Sequence, residues 1–224
     1  MTLQKALSSS IGSKFLIALT GLFLFLFLVG HLAGNLLFML GADAFNNYAH
    51  ALISNPLILV AEGGLIAIFL LHIFKTVTMF VANRRARPDR YAAKKWAKTK
   101  NDRSRKTLSS TTMILTGTIT LLFLVTHLAT FKYGPYYETT EGIRDLYRLQ
   151  FAVFSNPGYV AFYLVAMGVI GFHLWHGISS AAQSFGVDSP RWTPRLIWTG
   201  RVFTVAVSLG FALLPIYTFV MGRN

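Results

Sequence analysis

Cysteine is absent from the 224 residues, so the chain forms no disulfide, offers no thiolate to zinc and ligates no iron–sulfur cluster. Acids are scarce: eight Asp and Glu stand against 21 Lys and Arg, and only 13% of residues are charged. A dinucleotide-binding glycine fingerprint is also missing. What is abundant is apolar. Hydrophobic residues make up 54% of the chain and the mean hydropathy is +0.51, too apolar for an ordinary soluble domain.

The apolar residues gather in blocks close to the ~20 residues that cross a bilayer: Phe15–Leu40, Leu57–Ala82, Leu108–Phe131, Gly158–Ala182 and Ile197–Met221. They predict an all-α membrane protein with five transmembrane helices in a single domain, 1–224. The first block is too long for the core of a cleaved signal peptide, and Gly34-Asn35-Leu36-Leu37 continues it, so its retention is expected.

A formal charge of +13 raises nucleic acid as a partner, but the placement of the charge argues for topology instead. Eleven Lys and Arg lie between the second and third blocks: Arg84, Arg85, Arg87, Arg90, Lys94, Lys95, Lys98, Lys100, Arg103, Arg105 and Lys106. Lys5, Lys14, Arg191, Arg195 and Arg201 fall on the same predicted side, against Lys132, Arg144, Arg148 and Arg223 on the other. The positive-inside rule then puts the N-terminus and the basic loop 83–107 in the cytoplasm, with the chain in the cell's inner (cytoplasmic) membrane. The same basic surface suits an acidic partner or anionic membrane lipids.

The chain also repeats itself. Phe27-Leu28-Val29-Gly30-His31-Leu32-Ala33 returns as Phe123-Leu124-Val125-Thr126-His127-Leu128-Ala129. Ser54-Asn55-Pro56 returns as Ser155-Asn156-Pro157, and sixteen residues beyond each proline stands a histidine, His72 or His173. Two helical hairpins, about 15–82 and 108–182, are thus predicted as copies of one unit, with a fifth helix at 197–221 outside it.

The repeat sorts the six histidines. His31 matches His127 and His72 matches His173, while His50 and His176 fall opposite Phe151 and Lys75. A single intramembrane histidine is as readily an interhelical hydrogen-bonding group as a ligand. Four in two symmetric pairs point to ligation, because polar groups in hydrocarbon are costly. At ~1.5 Å per residue, His31 and His127 lie on the outer side of their spans, and His72 and His173 in the cytoplasmic half. Two imidazoles from two helices at one depth can grip a planar macrocycle from both faces. A structural zinc site gathers four ligands at one point, so two separate pairs predict two haems b. Gly30, Gly34, Gly168 and Gly171 would let a flat ring approach, although glycine also serves ordinary helix packing.

Gly21-Leu22-Phe23-Leu24 through Gly30-His31-Leu32, then Ala49-His50, Leu71-His72 and Phe172-His173-Leu174-Trp175-His176-Gly177, resemble the five-helix, di-haem cytochrome b subunit of succinate:quinone oxidoreductases and quinol:fumarate reductases. The likeness runs in order along nearly the whole chain. It implies a proximal haem b on His72 and His173 and a distal one on His31 and His127. It implies an iron–sulfur subunit and a flavoprotein subunit as partners, which perform the dicarboxylate chemistry. This chain is then the membrane anchor, passing electrons to a quinone, commonly menaquinone in di-haem members. One departure stands out: some members carry a glutamate two residues before the last ligand, where this chain has Gly171, so the resemblance does not extend to a proton path built on that acid. His176 is not a ligand position of the family and reads as a hydrogen-bonding or propionate-side residue.

Glu62 is the one acid inside a predicted span, towards the outer end of the second. An embedded carboxylate is a functional candidate by default, and quinone chemistry needs a general acid or base; the plainer alternative is an interfacial residue reaching for water. Asn35 and His50 lie towards the same side and can hydrogen-bond a quinone head, with Asn46, Asn47 and Tyr48 in the intervening loop Gly41–Asn55. A solvent-facing loop role would equally account for His50. Two other functions fit the residues: a haem b anchor of a hydrogenase or formate dehydrogenase, or a haem-free transporter built from repeats.

Overall fold

The computed structural model describes residues 9–86, 111–187 and 189–223. Every named element among them is helical: α1 (Ser10–Leu36) with a 3-10 turn Leu37–Leu40, α2 (Ala42–Ile53), α3 (Leu57–Arg85), α4 (Met113–His127) running into a π-helical turn Leu128–Lys132, α5 (Leu146–Phe154), α6 (Pro157–Ser184) and α7 (Trp192–Met221). Five of these, α1, α3, α4, α6 and α7 with their terminal turns, are long and apolar enough to cross a membrane. The chain is an all-α, multi-pass membrane protein. Its outer surface agrees: Ile11, Leu59 and Leu209 are 81%, 72% and 65% exposed, an apolar exterior that suits acyl chains rather than water.

The hairpins meet back to back. α3 packs on α1, α4 on α6, and the two units join where α1 packs on α6. α7 lies along α6 and also touches α1. Small residues admit it: a Cβ at Gly171 would come 2.7 Å from Ser208 Oγ, and one at Gly210 2.7 Å from Leu32 Cδ2. Close backbone approach of this kind is what holds helices together where lipid removes the hydrophobic drive. The fifth helix starts earlier than its apolar block, at Trp192, and Thr193 in its first turn ties it to the loop before it. Its hydroxyl accepts from Ser189 N at 2.8 Å and donates to Val187 O at 3.0 Å.

The repeated Ser-Asn-Pro ends one helix and begins the next. Ser54 and Ser155 donate back to the carbonyls of His50 and Ala152 at 2.7 and 2.8 Å. Asn55 and Asn156 accept from Leu57 N and Gly158 N at 3.0 and 2.8 Å, each satisfying an N–H that a helix start leaves open. Proline sits where a missing N–H costs no bond.

Each copy also contains a helix that the apolar blocks do not reveal. The expected outer loop Gly41–Asn55 is largely α2. Gly41, at φ 106°, breaks from the 3-10 turn in a conformation that side chains disfavour, Asp43 favours the new N-terminus, and Phe45, Asn46 and Ala49 form a buried stripe. Its counterpart α5 precedes the second Ser-Asn-Pro, and the two short helices pack on each other. Asn46, 3% exposed, links them: it donates to Asp145 Oδ1 at 2.9 Å and accepts from Tyr147 N at 3.0 Å. Around this link Phe38, Phe45 and Leu214 form a core with Tyr147, Phe151 and Tyr217. The basic residues Arg87 to Lys106, and with them most of the expected cytoplasmic loop 83–107, lie outside the described residues; so do Leu108 to Ser110 at the head of the third block.

Candidate functional site

α3 has no fully buried residue, yet Glu62, Leu65, Phe69, His72, Thr76 and Met79 are all half-buried, in alternating steps of three and four. That spacing is one face of a helix, so a single stripe of α3 faces the bundle and carries both its histidine and its acid.

His72 meets α1. Its Nδ1 lies 3.0 Å from Thr20 Oγ1, and a Cβ on the adjacent Gly21 would stand 3.2 Å from its Cε1. His173 repeats the arrangement on α4: Nδ1 is 3.1 Å from Thr116 Oγ1, and a Cβ at Gly117 would stand 3.3 Å from Cε1. His31 and His127, on α1 and α4, have ring centres 5.9 Å apart with planes at 90°. His127 Nδ1 lies 3.2 Å from Tyr163 Oη on α6, and Phe211 of α7 packs 5.7 Å from the His31 ring. His31 stands eleven residues beyond Thr20, so the two histidine levels are about 16 Å apart along α1.

None of Thr20, Thr116, Gly21, Gly117, Tyr163 or Phe211 was singled out as a partner of a histidine by the sequence reading. For four of them a signal existed. Leu-Thr-Gly at 19–21 returns at 115–117, eleven residues ahead of His31 and of His127, a second match within the same repeat. Tyr163 and Phe211 have no such signature. Of the expected ring-approach glycines, Gly34 instead receives Tyr48, whose Cε1 would be 2.7 Å from a Cβ, and Gly171 receives Ser208; at Gly30 and Gly168 a Cβ would meet nothing within 4 Å.

The residues expected around a quinone scatter into different roles. Asn46 is structural, as described above. Asn35 donates to His31 O at 2.8 Å and its Nδ2 lies 3.5 Å from His31 Nε2, so it borders the His31 level. Tyr48 covers α1 one turn away, at Gly34. His50 is exposed at the last turn of α2, away from the buried stripe. Glu62 has a partner that the sequence reading did not assign, an ion pair with Lys132 at the end of the π-helical turn. Arg144 caps that turn, donating to Phe131 O at 2.9 Å and to Lys132 O at 3.1 Å, carbonyls that a helix end leaves open. His176, three residues beyond His173, is half-buried.

Among the described residues, metal-ligating side chains do not gather in threes or more. His31 and His127 stand ring to ring at one level, while His72 and His173 each lie against a threonine eleven residues before those two histidines. No protein-family model, curated protein or solved structure matches the chain.

Proposed function

We propose that this chain is the membrane-anchor cytochrome b subunit of a succinate:quinone oxidoreductase or quinol:fumarate reductase, holding one haem b between His72 and His173 and a second between His31 and His127. The observation that carries the reading is the His31–His127 pair. Two imidazoles on one iron, at about 2 Å per metal–nitrogen bond, put their ring centres about 6 Å apart. The pair stands at 5.9 Å, on helices from different hairpins. The donor chemistry also fits: imidazole nitrogens in an apolar wall suit haem iron, and a haem held by two of them would serve electron transfer rather than oxygen binding.

When bound, haem supplies a one-electron acceptor and donor. The chain's own residues do the rest. The two histidine levels, about 16 Å apart, would hold the haems between the end of the bundle where α3 stops at Arg85 and the end that carries α2 and α5. We place the first end in the cytoplasm, facing the iron–sulfur and flavoprotein subunits, and a menaquinone site at the second. There Glu62, paired with Lys132, would exchange the protons that quinone chemistry requires, with Asn35 and Tyr48 bordering the His31 level.

The test is purification from the native membrane. A copurifying flavoprotein and iron–sulfur subunit, with succinate reducing the haem absorbance, is the expected result. Copurification with hydrogenase or formate dehydrogenase subunits instead would assign the anchor to a different enzyme.

A further inference from the structure

We propose that Thr20-Gly21 and Thr116-Gly117 are matched seats that hold His72 and His173 in the tautomer carrying its proton on Nδ1, which leaves Nε2 as the metal-binding nitrogen. The inference deepens the proposed function and rests on it.

A threonine hydroxyl has one hydrogen. Thr20 Oγ1 lies 2.7 Å from Leu16 O and 3.1 Å from Ile17 O, and Thr116 Oγ1 lies 3.1 Å from both Thr112 O and Met113 O. Carbonyl oxygens only accept, so each hydroxyl hydrogen is committed to its own helix. Towards the imidazole the oxygen then accepts, and Nδ1 must be the protonated nitrogen. The lone pair is left on Nε2. Such an acceptor also orients the ring and raises its basicity. The neighbouring glycine completes the seat. A Cβ would come within 3.2 or 3.3 Å of Cε1, closer than ordinary contact, so a side chain there would push the ring a few tenths of an ångström away from the helix. The same seat occurs in both hairpins, at equivalent positions and on the pair of histidines that the proposal assigns to one haem. The His31–His127 level lacks it: its Nδ1 contact is Tyr163 on a different helix. Thr20 and Thr116 are therefore positioning residues.

Redox titration of the purified complex, followed optically, tests this with Thr20→Val and Thr116→Val. The haem concerned is identified as the one lost in His72→Ala. A more basic ligand favours ferric iron, so removing the acceptor raises the potential. Both valine variants should shift the same haem upwards, and Thr20→Ser and Thr116→Ser should restore it. Should a valine variant lose that haem outright, retention in the serine variant still supports the seat, and loss in both would overturn it. Unchanged potentials, or shifts in different haems, would overturn it too. A wild-type complex without haem would instead remove the proposed function, and this inference with it.

Discussion

At the scale of single residues, six histidines divide into those that the helices turn towards one another and those that they do not. His31, His72, His127 and His173 face other helices, whereas His50 is exposed on α2. Replacing any one of the four by alanine should lose or disturb one haem, and His50→Ala should leave both; haem quantification on each variant checks this. Glu62→Gln addresses the quinone site. The Glu62–Lys132 pair is about two-fifths exposed on each side, and such pairs contribute at most about 1 kcal/mol. The variant should therefore keep its thermal stability and both haems, yet lose quinone-linked turnover while the partner's activity with a soluble acceptor persists. Unchanged turnover would remove Glu62 from the mechanism. The approach of His31 to His127, ring centres 5.9 Å apart, was legible in the sequence because the repeat sets those two histidines at matching positions. The Glu62 partner was not, since a contact across 70 residues between two charged side chains at helix ends leaves no periodicity to read.

At the scale of elements, what held true was length and hydropathy, and what escaped was amphipathicity over short stretches. α2 and α5 mix buried Phe45, Ala49, Leu149 and Phe154 with polar neighbours, so neither stands out beside spans of nearly continuous apolar residues. Their mutual contact depends on Asn46. Asn46→Ala would leave the Tyr147 N–H without its acceptor and take one of two donors from Asp145 Oδ1, which keeps Arg148 N at 2.9 Å, costing about 1–3 kcal/mol; a lowered melting temperature in detergent would register it. Phe38, 1% exposed and stacked on Tyr147 at 4.4 Å, anchors the same end. Phe38→Ala should cost about 3–5 kcal/mol, and a loss below 1 kcal/mol would mean that this cluster does not hold α1 to α5. The π-helical turn after His127 also escaped the sequence reading. Hydropathy runs smoothly through Leu128-Ala129-Thr130-Phe131, whereas the turn depends on Tyr133 N bonding Leu128 O at 3.0 Å and on Arg144 arriving from beyond it.

At the scale of the whole molecule, two copies of one hairpin unit stack their histidines at two levels, and a fifth helix closes the side along α6. The orientation proposed for this bundle has its own check, made simple by the absence of native cysteine. A cysteine replacing Asn47, exposed on α2, should react with an impermeant thiol reagent from outside the intact cell. One replacing Arg85 should react only after permeabilisation, and the reverse pattern would invert the electron path drawn here. The central claim is the cofactor, and a reduced-minus-oxidised absorbance spectrum with haem quantification on the purified complex tests it most directly. A low-spin b-type spectrum and two haems for each copy of the chain are expected. A folded, haem-free chain, or a single haem that survives His72→Ala and His31→Ala alike, would contradict it.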